Sequence, residues 1–251
     1  MFRFFRQLRQ RLIAQNNVRR YLLYAVGEIF LVVIGILIAI GINNWQETQK
    51  LREYEVDILT EIRTGLINTR EEVLRAIEED KRWRACNYKI LEYLDQKKPY
   101  EPDLDQCFGC YYWSSTVQLT TSAYDELKVR GLELISNHKL RRELTDMFDS
   151  KFDVLKSEVE VWDSELLNST IYPLHTRLFR KYYPESWEVF QDEFAKPVDY
   201  KGLYTNEHYK NLLAEIISLR NYSIVINQSL AQDLQHLIES IEKELKVLKN
   251  S

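Results

Sequence analysis

The sequence predicts an all-α protein: an N-terminal transmembrane helix that continues into a long stalk, followed by an antiparallel helical bundle of about four main helices. Three observations carry that prediction. Only 7 Gly and 5 Pro stand in 251 residues, so few positions favour sheets and tight turns. One apolar run, Tyr21 to Ile42, holds a single charge, Glu28, in a chain of negative mean hydropathy. Elsewhere, apolar residues recur at close to helical spacing over long stretches.

Residues 1–20 read as a basic head. Arg3, Arg6, Arg9, Arg11, Arg19 and Arg20 occur there with no acidic residue among them. Positive charge flanking an apolar helix is retained on the cytoplasmic side, so the head is expected in the cytoplasm and the body outside. Phe2, Phe5, Leu8 and Leu12 are spaced as on one helix face with arginines between them. That pattern suits an amphipathic helix on the inner leaflet; a basic tail that only sets topology explains it equally well. A head this short leaves no room for an output domain, so a two-component-type receptor within one chain is not expected.

Residues 21–42 are the anchor. About 20 apolar residues rising about 1.5 Å each cross a hydrocarbon core about 30 Å thick. A cleaved signal peptide is the competing reading, but its apolar region is shorter and ends at small residues, whereas this run ends Gly41-Ile42-Asn43-Asn44-Trp45. Glu28, Gly35 and Ala39 fall on nearly one helix face, with Ala25 beside them. Small residues at such spacing let helices approach closely in lipid, and an ionisable group at that depth faces a helix interface or water. Self-association through this face is therefore expected. Pairing of Glu28 with Arg19 or Arg20 at the inner interface is the alternative.

Residues 43–251 form the body. Of 34 basic and 38 acidic residues, the six arginines and Glu28 precede it, leaving 28 against 37 and a net charge of −9. Such a surface repels nucleic acid, which is excluded as a partner. Expected partners are the lipid bilayer and a second copy or another membrane protein. From Trp45 to Leu94 there is one Gly and no Pro, and Leu51, Tyr54, Ile58, Ile62, Leu66, Val73 and Ile77 follow helical spacing, with Leu59, Ile67 and Leu74 as a second apolar edge. This predicts one long bundle helix, continuous with the anchor. Gln96 to Tyr112 reads as a loop for its Pro99, Pro102 and Gly109. A helix is expected from Trp113 to Arg130, stopped by Gly131, and the next is capped by Asn137 and runs toward Pro173. Two short helices are expected within Tyr172 to Tyr204, and a last long helix from Asn206 to about Lys249.

Two blocks resemble a known family. Val26 to Glu47, with Gly27-Glu28 at its start and Ile42-Asn43-Asn44-Trp45 at its end, resembles the anchor of an uncharacterised family of Bacteroidota, the domain-of-unknown-function 6090 family. Ser122 to Gly131 followed by Leu134 to Leu140 is similar to that family's mid-chain helix, Gly and Leu-Ile turn. The resemblance implies an inner-membrane protein of a diderm bacterium with a periplasmic body. It implies no activity. Ile40-Gly41 replaces a Leu-Gln pair of the family pattern and makes the outer end of this anchor less polar.

Candidate chemistry is sparse. Cys107-Phe108-Gly109-Cys110 has the C-x-x-C spacing and Cys86 precedes it. Zinc needs further ligands that the sequence does not supply at metal-binding spacing, and the motif lacks a βαβ setting. In an oxidising compartment one structural disulfide is expected, Cys107–Cys110 or Cys86 to either, with one thiol left over. His138, His175, His208 and His236 are scattered, so no metal and no cofactor is expected. No motif of nucleophilic, nucleotide-dependent or zinc catalysis occurs, which argues against an enzyme. Tyr111-Tyr112-Trp113 and Tyr182-Tyr183 with Trp187 and Phe190 are expected to fill bundle ends. The expected function is that of a scaffold or assembly component of the envelope, with a ligand-binding or sensory module as the alternative.

Overall fold

A computed structural model describes residues 18–183 and 193–250. The predicted amphipathic pattern of residues 2–15 lies outside those residues, as do Trp187 and Phe190. The chain divides into two compact units, one up to Tyr54 and one from Glu55 onward.

In the first unit, helix α1 (Val18–Asp95) begins and carries the apolar run. It is the one helix, among the described residues, long and apolar enough to cross a membrane. Leu23, Ile29, Phe30, Leu31, Val32, Leu37 and Ile38 are all exposed, so the apolar surface extends around the helix. A surface of that kind is costly in water and suited to lipid.

The second unit holds the rest of α1, then α2 (Leu104–Cys110), α3 (Ser122–Arg130), α4 (His138–Asp146), α5 (Phe152–Glu160), α6 (Tyr172–Leu178), strands β1 (Phe179–Tyr182) and β2 (Phe194–Pro197), α7 (Tyr200–Leu203) and α8 (Glu207–Asn250). Two π-helical stretches, Met147–Lys151 and Val161–Ile171, link α4 to α5 and α5 to α6. The ends are set by sequence. Asn137 Oδ1 accepts the amides of Lys139 and Leu140 to start α4, and Asn206 Oδ1 accepts that of Tyr209 to start α8. Gly131 ends α3 with φ 113°, a backbone conformation costly for any residue with a Cβ.

The second part of α1 and α8 run antiparallel. Arg63 pairs with Glu242, Asp80 with Arg220 and Asp95 with Lys210, so partner numbers fall as α1 advances. Two hydrophobic cores result. One joins Ile58, Leu59, Ile62 and Leu66 of α1 to Leu140 and Leu144 of α4 and to Leu234, Leu237 and Ile241 of α8. The other joins Ile90 and Leu94 to Leu104 and Phe108 of α2, Phe179 of β1, and Tyr209, Leu213 and Ile216 of α8. Leu51 and Leu74, expected on apolar edges, are exposed.

The protein is all-α in its main elements, with three local departures from expectation. The helix predicted from Trp113 begins only at Ser122. The preceding run, Ser114-Ser115-Thr116-Val117, is rich in side chains that disfavour helix. Thr120 N–H donates to buried Thr69 Oγ1 at 3.1 Å, beside Gly65, where a Cβ would come within 3.1 Å of the Thr120 side chain. The predicted loop 96–112 contains α2. The two short helices expected between Tyr172 and Tyr204 are α6 and α7, separated by an antiparallel β1–β2 pair in which Phe179 faces Pro197 and Tyr182 faces Phe194. That pair lies against α2, where a Cβ on Gly109 would collide with the Glu193 carbonyl at 2.1 Å. Only glycine permits so close an approach.

Candidate functional site

Helix α2 is the short element around which the unusual side chains of the body gather. Its spacing places Leu104, Cys107, Phe108 and Cys110 inward, and every residue except Gln106 is buried. Asp105, 1% exposed, accepts from the phenols of Tyr100 and Tyr182, the latter at 2.7 Å. Burial, then the hydrogen bond to Asp105, pushes the Tyr182 phenol up to about 12. Two phenolic donors thus meet the buried carboxyl group of Asp105.

Three sets of groups meet α2. Its disulfide joins Cys107 to Cys86 of α1, with Cα atoms 5.0 Å apart, while Cys110 keeps its thiol and donates to the Gln106 carbonyl at 2.9 Å. The C-x-x-C motif is therefore helical and packs beside a strand, unlike the loop expected from sequence.

The second set is a buried ion pair. Arg220 of α8 donates to Asp80 of α1 at 3.0 Å, and both side chains are almost fully buried. Arg220 Nη2 also donates to the carbonyls of Tyr111, at 3.0 Å, and Trp113, just beyond α2. Ser223 donates to Asp80 at 2.8 Å, and Asn87 Nδ2 to the Tyr111 carbonyl at 3.1 Å. The guanidinium lies 5.2 Å from the centre of the Trp83 ring, which meets Trp113 edge-on. Burial pulls Arg220 down to about 10, against the charge of Asp80 that raises it, so it remains cationic near neutrality. Burial also raises Asp80, outweighing Arg220 and the two serines, Ser223 and Ser115, that bond to it.

The third set is aromatic. Tyr111 and Tyr209 are fully buried and His175 is 3% exposed. Their rings meet, with Tyr111 5.7 Å from His175 and 5.5 Å from Tyr209. Tyr112 and Phe179 close around the imidazole at 4.8 and 5.3 Å. Both imidazole nitrogens and both phenol oxygens of Tyr111 and Tyr209 lack a hydrogen-bond partner among the described residues. Burial, and secondarily the charge of Lys181, lowers His175 to about 4, so the ring is neutral at pH 7. Burial drives both phenols well above their ordinary range. A neutral imidazole and two neutral phenols offer donors and acceptors to an uncharged molecule, and water itself is such a molecule.

Among residues singled out from sequence, Cys86, Cys107 and Cys110 come together at α2. Glu28, Gly35 and Ala39 lie on α1 in the other unit, where Glu28 is half-buried and a Cβ on Gly35 would meet nothing within 4 Å. His138, His208 and His236 are exposed; His175 alone of the four is buried. Among the described residues, no three His, Cys, Asp or Glu side chains cluster to hold a metal. Of the predicted aromatic clusters, Tyr111 and Tyr112 are core, Tyr182 binds Asp105, and Tyr183 is exposed. Asp80, Arg220 and Tyr209 escaped sequence reasoning. The available signal was one charge of each sign on the apolar faces of two helices, since Arg220 follows Ile216-Ile217 and Asp80 follows Ala76-Ile77.

No curated protein and no solved structure matches the chain. A family profile described as "Family of unknown function (DUF6090)" matches residues 28–171, from the anchor through the π-helical stretch before α6. The chain belongs to that family, whose function is unassigned.

Proposed function

We propose that this is a single-pass inner-membrane protein, N-terminus in the cytoplasm and helical body in the periplasm, that acts as a scaffold or assembly component. It assembles through the anchor face bearing Glu28, Gly35 and Ala39, with copies of itself or with another membrane protein. One observation carries this reading: an exposed apolar helix whose glycines Gly27, Gly35 and Gly41 would each admit a Cβ with nothing within 4 Å. In lipid, where apolar burial gives no net drive between helices, close backbone approach at such residues is a main source of association. The arginines before Tyr21 support the orientation.

The test is native mass spectrometry of the full-length protein in detergent. Oligomers in the wild type that dissociate in Gly35→Leu, and persist in Glu28→Gln, support packing through this face. Monomers in both wild type and Gly35→Leu would remove the scaffold reading.

A second reading, a ligand-binding or sensory module working through a separate partner, is favoured by the convergent orphan atoms of His175, Tyr111 and Tyr209. Buried polar groups are normally satisfied, and leaving each one unsatisfied costs about 1–3 kcal/mol. A small uncharged hydrogen-bonding ligand would relieve that cost. Saturation of the purified full-length protein with phenol or imidazole as probes, followed by thermal unfolding, tests it; no shift with either probe counts against this reading.

A further inference from the structure

We propose that Cys86, Cys107 and Cys110 form a thiol–disulfide exchange site, in which Cys110 displaces Cys86 from Cys107 and presents the Cys86 thiol to an external disulfide. Three observations converge on it. Cys107 is already bonded to Cys86, a half-exposed residue on α1, whereas Cys107 and Cys110 are buried on α2. Cys107 and Cys110 are one turn apart on the same helix, and residues so spaced have Cα atoms about 5 Å apart, inside the range of about 4.4–6.8 Å that a disulfide spans.

The Cys110 thiol is turned back along α2. It donates to the carbonyl of Gln106, the residue before Cys107, so it lies over the turn that holds the existing disulfide. The buried Arg220 guanidinium is within electrostatic reach of Cys110. A neighbouring cation favours the thiolate, which is the attacking species.

The step balances without an oxidant. Cys110 loses its proton to solvent, its sulfur forms a bond to Cys107 Sγ, and the Cys86–Cys107 bond breaks with its electron pair on Cys86, which takes up a proton. One disulfide and one thiol are present before and after. The covalent tether between α1 and α2 is exchanged for one within α2, and the thiol moves from a buried to a half-exposed position. The natural reaction partner is a disulfide of another protein or a small disulfide, which the Cys86 thiolate attacks from the surface of α1 and whose leaving sulfur departs as a thiol.

The experiment uses the full-length protein in detergent, oxidised and free of reductant. It is incubated with N-ethylmaleimide at pH 8, quenched in acid, digested without reduction, and mapped by mass spectrometry. The expected result is maleimide on Cys86 together with a Cys107–Cys110 disulfide, forming at least tenfold more slowly in Cys110→Ser. Maleimide confined to Cys110, no labelling of Cys86, or labelling of Cys86 at the same rate in Cys110→Ser would overturn the proposal. A second variant gives an independent reading: Cys86→Ser, reduced and then exposed to oxidised glutathione, is expected to lose both titratable thiols to a Cys107–Cys110 bond. Persistence of two thiols, or glutathione on either, would also overturn it.

Discussion

Arg220 and Asp80 form an ion pair between α8 and α1 with the two charged side chains 2% and 4% exposed. The pair sits where the carbonyls of Tyr111 and Trp113 also need donors, so one guanidinium satisfies three acceptors from two other segments. Such a group fixes the register of the two long helices more sharply than the aliphatic residues around it, because leucines tolerate slippage and a buried charge does not.

Removing one partner strands the other. Asp80→Ala is expected to destabilise the body by about 3–5 kcal/mol, whereas Asp80→Leu combined with Arg220→Met recovers much of that loss, because an apolar pair carries no desolvation cost. Thermal or chemical unfolding of the full-length protein in detergent checks it. Equal stability of Asp80→Ala and wild type would mean that the pair contributes nothing.

His175 makes stability depend on pH. Its folded pKa of about 4 lies below the unfolded 6.5, so the unfolded chain takes up a proton that the folded one refuses. Stability from this group is complete above pH 6.5 and falls as the pH drops toward 4, by about 3 kcal/mol in total. In His175→Phe this component disappears, and the variant gains on wild type as the pH is lowered from 7 to 4.5. A parallel pH dependence in the two proteins would refute the assignment.

The disulfide closes a loop between residues 21 apart. A loop of that length restricts the unfolded chain by about 3 kcal/mol, so reduction or Cys86→Ala should lower the melting temperature by several degrees. Cys110→Ala, which leaves the Cys86–Cys107 bond in place, should cost less. Comparing the three melting curves under oxidising and reducing conditions decides the matter.

Gly109 is the contact between α2 and the β1–β2 pair. A methyl group there would need the backbone at Glu193 to retreat by more than an ångström. Gly109→Ala is expected to destabilise by about 1–3 kcal/mol, as overpacking does, and to raise hydrogen exchange at the amides of β2 first. Unchanged exchange in β2 would show that the close approach is not what holds the strand.

By itself the sequence determined the long apolar N-terminal helix and the other long helices, because both follow from rules that act over short stretches. Apolar run length, spacing near 3.6 and the caps Asn137, Gly131 and Asn206 are local, and the structure bears each of them out. The family was legible too, since its two blocks are contiguous runs. Only the tertiary structure decided which cysteines pair, that Ser114 to Thr121 is not helical and bonds to Thr69 through Thr120, and that Phe179 to Tyr182 is a strand rather than a helix. It also decided that an arginine and a histidine belong in the core. In each of these cases the deciding partner is distant in sequence: Cys86 for Cys107, Thr69 for Thr120, Phe194 for Tyr182, Asp80 for Arg220 and Tyr111 for His175. Burial of a polar group becomes favourable only once its partners are in place, and periodicity along one segment carries no record of where they will be.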